Sequence, residues 1–117
     1  MTSEELKHRT KQVALVIIRL TASLPRNRES DVVLKQLLRS GTSVGANYRS
    51  ACRARSKAEF ISRIGIVEEE ADESLYWMEL LADTGMVSRN QIDPLISEMK
   101  ELTAIFTAAG RTAKRGK

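Results

Sequence analysis

Apolar residues return along this chain at the three-and-four spacing of one helix face, and they do so in four separate runs. The first, Leu6, Val13, Val16/Ile17, Leu20 and Leu24, opens at a Thr2…Glu5 capping box and is stopped by Pro25. The polar stretch "PRNRES" (25–30) predicts a connection. The second run is Leu34, Leu37/Leu38, Gly41, Val44/Gly45, Tyr48 and Cys52. Ser56 followed by Glu59 opens the third, Phe60, Ile64, Val67, Ala71, Leu75, Met78 and Ala82, with Gly85 placed as its C-terminal cap. The fourth is Ile92, Leu95/Ile96, Met99, Leu102 and Phe106. It starts either at Ser88…Gln91 or at Asp93-Pro94, where a turn or kink is expected. Gly110 ends it, and "RTAKRGK" (111–117) reads as a basic disordered tail. Helices of about 20–28 residues span roughly 30–40 Å. With short links they make an all-α, up-down antiparallel four-helix bundle, a single domain over residues 1–110.

Composition narrows the class. A chain of 117 residues is one domain, and 4% aromatics with two prolines favour helix over strand. Cys52 is the single cysteine, so no internal disulfide forms and a reducing compartment is expected. The run "VALVII" (13–18) is too short to span a bilayer, and Glu4 and Glu5 spoil a basic leader before it. A soluble, cytoplasmic protein with no membrane partner is expected.

The second helix departs from ordinary composition twice. Gly41 and Gly45 fall on its core stripe, where each costs about 1 kcal/mol relative to alanine. Close approach of a neighbouring helix offsets that, and large side chains such as Phe60 or Trp77 are the expected occupants, ahead of a backbone–ligand contact. The opposite face, Arg39, Ser43, Ala46/Asn47 and Ser50, is small and polar where Lys and Glu usually sit. It is either a subunit interface or groove, or an exposed face that happens to be small. The third helix adds a second apolar side at Ile66, Trp77 and Leu80/Leu81. A helix apolar on more than one side is central to a large core or covered by a partner, and four helices enclose none of their number completely. A homo-oligomer is therefore expected, with Arg39, Ser43, Ala46, Asn47, Ser50, Ile66, Trp77 and Leu81 at its interface.

Charge changes the picture further. Residues 1–57 hold 12 Lys/Arg against 4 Asp/Glu, net +8, whereas residues 58–117 hold 7 against 11, net −4. The cluster Arg49, Arg53, Arg55 and Lys57, with Arg26 and Arg28 on the preceding connection, suits phosphates, and a multimer would repeat the patch. Ion pairing with the acidic third helix, in the same or a neighbouring subunit, accounts for it equally well. The run "EEEADE" (68–73) invites a di-iron reading, but such sites need Glu-x-x-His pairs and His8 is the sole histidine. His8 reads as a surface residue and Cys52 as an inert buried thiol. "GTSVG" lacks the lysine and the strand-to-helix setting of a phosphate-binding loop. No enzyme activity, cofactor or metal is expected.

The stretch "QLLRSGTSVGANYRSACRARSKAEF", with "EEADESLYWMELLADTG" behind it, resembles the four-helix bundle proteins related to those encoded by intervening sequences of bacterial large-subunit ribosomal RNA genes. The likeness runs from about Leu20 to Phe106 and is most specific at Leu38-Arg39, Ser43, Asn47 and Ser56…Glu59-Phe60. It implies an up-down bundle assembled as a ring-like homopentamer without enzyme activity. A related accessory protein of diversity-generating retroelements uses a basic pentameric barrel to bind a reverse transcriptase and nucleic acid. This chain departs from the pattern after Tyr48-Arg49, where Ser50 stands in place of Glu. The resulting expectation is a self-assembling scaffold or binding module for RNA, DNA or a nucleic-acid enzyme. The alternative is a structural or regulatory assembly that binds no nucleic acid.

Overall fold

The computed structural model describes residues 1–116 and resolves the four runs into four helices. They are α1 (Ser3–Ser23), α2 (Arg28–Cys52), α3 (Lys57–Asp83) and α4 (Arg89–Arg115). Among the described residues there is no strand. Each helix starts where a side chain satisfies an otherwise orphaned backbone N–H. The Thr2 hydroxyl accepts the Glu5 N–H at 3.1 Å, and the Glu5 carboxylate accepts the Thr2 N–H at 3.3 Å. Ser56 and Ser88 accept the N–H groups of Glu59 and Gln91 at 3.0 and 3.3 Å.

Two boundaries differ from the sequence expectation, and a third settles on one of its two alternatives. Helix α2 begins inside "PRNRES": Asn27 accepts the Ser30 N–H at 2.8 Å and Ser30 Oγ accepts the Asn27 N–H at 3.0 Å. Helix α4 starts at the Ser88 cap and runs through Pro94 without a break. The missing proline N–H leaves only one carbonyl unpaired near an exposed helix start, which a helix tolerates. Nor does Gly110 stop α4. It keeps a helical backbone, and the helix continues to Arg115, where the Gly116 N–H bonds Thr112 O at 3.0 Å. Lys114 and Arg115 sit favourably at the negative end of the helix dipole. The expected disordered tail is thus helical over 111–115, and Lys117 lies outside the described residues. Gly85, at φ +73°, does close α3.

The bundle measures 49 × 21 × 20 Å, with α2 between α1 and α3, and α3 between α2 and α4. Ile17, Leu37, Val44, Ile64, Met78, Leu102 and Phe106 are fully buried at its centre, and the Tyr48 and Phe106 rings meet at 5.4 Å. Helix α4 closes only lightly on α1. That seam is bridged by Arg9, whose guanidinium lies 2.6 and 2.8 Å from the Glu98 carboxylate and 3.1 Å from Glu101. Inside the α2–α3 seam the buried hydroxyls of Ser40 and Ser74 bond at 2.9 Å.

Both α2 glycines are explained by α1. A Cβ on Gly41 would overlap Ile17 Cδ1, and one on Gly45 would lie 3.1 Å from Thr10 Oγ1. Phe60 and Trp77, the expected occupants, are half-buried on α3 and do not take this space. Gly65 differs, since a Cβ there meets nothing within 4 Å. Two opposite outcomes are expected in urea unfolding. Gly41→Val destabilises by about 1–3 kcal/mol through overpacking against Ile17, whereas Gly65→Ala stabilises by about 0.5–1 kcal/mol through helix propensity.

Outside the α2–α3 seam, Arg39 Nη1 lies 3.0 Å from Glu70 and Nη2 contacts Glu73. The Trp77 indole N–H, 3.0 Å away, and then Arg39 hold the Glu73 carboxyl below its ordinary value of 4.5. A carboxyl depressed in the folded chain stabilises it above the unfolded value, and that contribution is lost as pH falls through the folded value. Glu73→Gln should therefore be less stable than the parent at neutral pH, with the gap closing below pH 4.5 in urea melts.

Candidate nucleic-acid interface

The antiparallel path returns three basic segments to one end of the bundle. Helix α2 ends with exposed Arg49, the α2–α3 turn carries Arg53 and Arg55, and α3 opens at Lys57. Helix α4 returns beside them, with Gly110 against Ile64, so that Arg111, Lys114 and Arg115 join the same end. Among the described residues none of these seven cations has a carboxylate within 4.0 Å. The acidic residues of α3 are not spent on them. Glu68 accepts the Thr107 hydroxyl at 2.6 Å, while Glu70 and Glu73 hold Arg39.

Beside the turn, Ser50, Arg53, Arg55, Glu59 and Arg63 line an open recess. Arg63 donates to Ser50 Oγ at 3.2 Å and pairs with Glu59 at 3.3 Å. The Arg55 N–H donates to Glu59 at 2.6 Å, and this bond more than any other holds the Glu59 carboxyl low. Ser50, standing where the resemblance expects Glu, thus leaves Arg63 with a neutral acceptor and the recess with more positive charge.

Arg26 and Arg28 are not brought into this cluster. They flank the start of α2, a 25-residue helix about 36 Å from its basic end. Each has a local partner as well, Asp31 at 2.7 Å and Glu29 at 3.0 Å. The sequence does not announce the α4 contribution, because Gly110 reads as a stop whereas the helix continues to Arg115. The basic composition of 111–115 was visible, but its helical placement was not.

The small face of α2 divides in two. Arg39 reaches across to α3, Ser43 Oγ donates to Arg39 O at 2.7 Å, and Asn47 Nδ2 donates to Ser43 O at 2.9 Å. Ser50 receives Arg63, so this row is engaged within its own subunit. Ala46 is exposed and faces the other way, into a groove against α1. On α3, Ile66 stays 42% exposed and Trp77 half-buried, but Leu81 is fully buried and is a core residue. Four residues on from Trp77, it has rotated by about 40° into the bundle, which removes it from any interface. Tyr76, 54% exposed and packed edge-on against Trp77 at 5.1 Å, takes its place on the outer side. Its spacing from Ile66 and Glu69 was the clue.

Among the described residues no three His, Cys, Asp or Glu side chains gather as metal ligands. His8 is exposed, Cys52 is half-buried, and burial pushes the nearby Tyr48 phenol up. No described helix is long and apolar enough to cross a membrane.

Known proteins share this architecture. A family model described as 23S rRNA-intervening sequence protein matches residues 4–108. The crystal structure of a protein of unknown function from the S23 ribosomal protein family, from Bacteroides thetaiotaomicron VPI-5482, is similar at a TM-score of 0.86 and 34% identity. The match covers 95% of this chain and 99% of that one. No curated protein matches the chain. A bundle of this topology, matched over nearly its whole length in both sequence and structure, belongs to the 23S rRNA-intervening sequence protein family.

Proposed function

We propose that this chain is a non-enzymatic, cytoplasmic scaffold that assembles as a ring of five and binds single-stranded nucleic acid at its basic end. The observation that carries the reading is the convergence of seven cations from α2, α3 and α4 without carboxylate partners among the described residues. Unpaired guanidinium groups retain their capacity for phosphate oxygens, and a ring multiplies the patch so that one strand meets several copies. The support for assembly is the exposed side of α3 at Ile66 and Tyr76 together with the exposed Ala46 on α2. Bases would contribute little stacking here, since the basic end carries no exposed aromatic ring, so recognition is of backbone and not of sequence.

RNA or single-stranded DNA should bind tightly at low salt, with log affinity falling against log salt by about 0.7 per phosphate neutralised. Arg53→Glu with Arg55→Glu should abolish binding while leaving the oligomer mass unchanged. Absence of binding by the parent protein at low ionic strength would refute the nucleic-acid reading and leave a purely structural assembly.

Light scattering at micromolar concentration should give about five times the 13.1 kDa subunit mass. Ala46→Arg should lower that mass by placing a long charged side chain in a close contact. An unchanged mass would remove this face from the interface.

A further inference from the structure

Between α1 and α2 runs an open groove of about 560 Å³ whose character differs from that of the basic end. Its floor is Thr42, Gly45 and Ala46, with no large side chain rising from it. The floor is low because Gly45 lets the α1 backbone approach at Thr10. Lys7 and Lys11 stand along one wall and Arg49 on the other. Among the described residues Lys11 and Arg49 have no carboxylate partner, and Lys7 has only the exposed Glu4 at 3.0 Å. A small floor between cationic walls admits a helix at short range, provided that the helix is acidic and brings its own bulk.

The same chain carries such a helix face. Glu69, Asp72, Tyr76 and Glu79 are exposed on α3 at spacings of three, four and three, which places them in one row. None of the three carboxylates has a cation within 4.0 Å among the described residues. Ile66 and Tyr76, 42% and 54% exposed, supply the apolar bulk that the groove floor lacks. From Glu69 to Glu79 the row spans about 15 Å, as does the α1 wall from Glu4 to Ala14. Because α2 stands between α1 and α3, a subunit's own row faces away from its own groove.

We infer that the outer row of α3 in one copy seats in the α1–α2 groove of the next. Glu69, Asp72 and Glu79 meet Lys7, Lys11 and Arg49, which leaves the other six cations of the basic end for phosphates, and Tyr76 lies over Gly45 and Ala46. The inference rests on the oligomeric part of the proposed function and specifies its interface. Two different surfaces are joined, so the contact is heterologous, and it propagates from copy to copy until rotation closes a ring.

Complementation of full-length variants tests this. Lys7→Glu with Lys11→Glu spoils the groove and keeps the row; Glu69→Lys with Asp72→Lys spoils the row and keeps the groove. Each double variant alone should fall to subunit mass in light scattering while retaining the helical circular dichroism of the parent. Mixed in equal amounts they should re-associate into species heavier than the subunit, since the acidic row of one now meets the cationic groove of the other and the reversed row meets the reversed groove. All four substitutions in a single chain should restore the parent's oligomer with reversed polarity. Parent-like mass in either double variant, or a mixture that stays monomeric, would overturn the inference while leaving the scaffold reading in place. A monomeric parent protein would overturn both, and RNA affinity of the Arg53→Glu, Arg55→Glu variant, whose substitutions lie outside the groove, reads the basic end separately.

Discussion

The approach of α1 to α2 at Gly41 and Gly45 sets the conditions for the rest of the bundle. Ile17 Cδ1 fills the space that a side chain on Gly41 would take, and Thr10 lies against Gly45 while its hydroxyl bonds Leu6 O at 2.8 Å. With α1 fixed there, α2 is free to present Leu37 and Val44 to the centre and Arg39 to α3. The two glycines weaken α2 by roughly 2 kcal/mol of helix propensity together. Dispersion contacts and buried area on Ile17 offset that. Relief at the glycines also lowers the outer floor between the two helices, so one packing device shapes both the core and the surface groove.

The acidic run of α3 shows how helical rotation divides a uniform sequence into different roles. Glu68 turns toward α4 and accepts from Thr107, while Glu70 and Glu73 turn toward α2 and accept from Arg39. Glu69 and Asp72 turn outward and remain exposed. The inner carboxylates therefore tie α3 to α2 and α4, which leaves the cations at the bundle's end unneutralised.

Most of the architecture was legible because its determinants are local. The pairs Thr2…Glu5, Ser56…Glu59 and Ser88…Gln91 mark three helix starts within a few residues of chain. Asn27…Ser30 went unread because serine at the third helical position is a poorer mark than glutamate, although its hydroxyl does the same work. The glycines announced a close approach without naming α1 as the neighbour, since identity of a packing partner is a property of the tertiary fold. Arg26 and Arg28 looked like companions of Arg49 and Arg53 by composition, yet a helix's length separates them. Leu81 shows the limit of phase reckoning: a displacement of about 40° per four residues moves a side chain from an outer face to the core.

The unequal seams of the bundle have a dynamic consequence. Helices α2 and α3 share the most extensive packing and the buried Ser40–Ser74 bond, whereas α1 leans on α2 and is fastened to α4 chiefly by Arg9. Local opening follows the weakest boundaries of a fold, so α1 is the element that detaches first and the α2–α3 hairpin the one that persists. Amide hydrogens of α1 then exchange through fluctuations smaller than global unfolding, while those at the centre of α2 and α3 wait for the whole chain to open. The residue that governs the difference is a single arginine held in a carboxylate clamp.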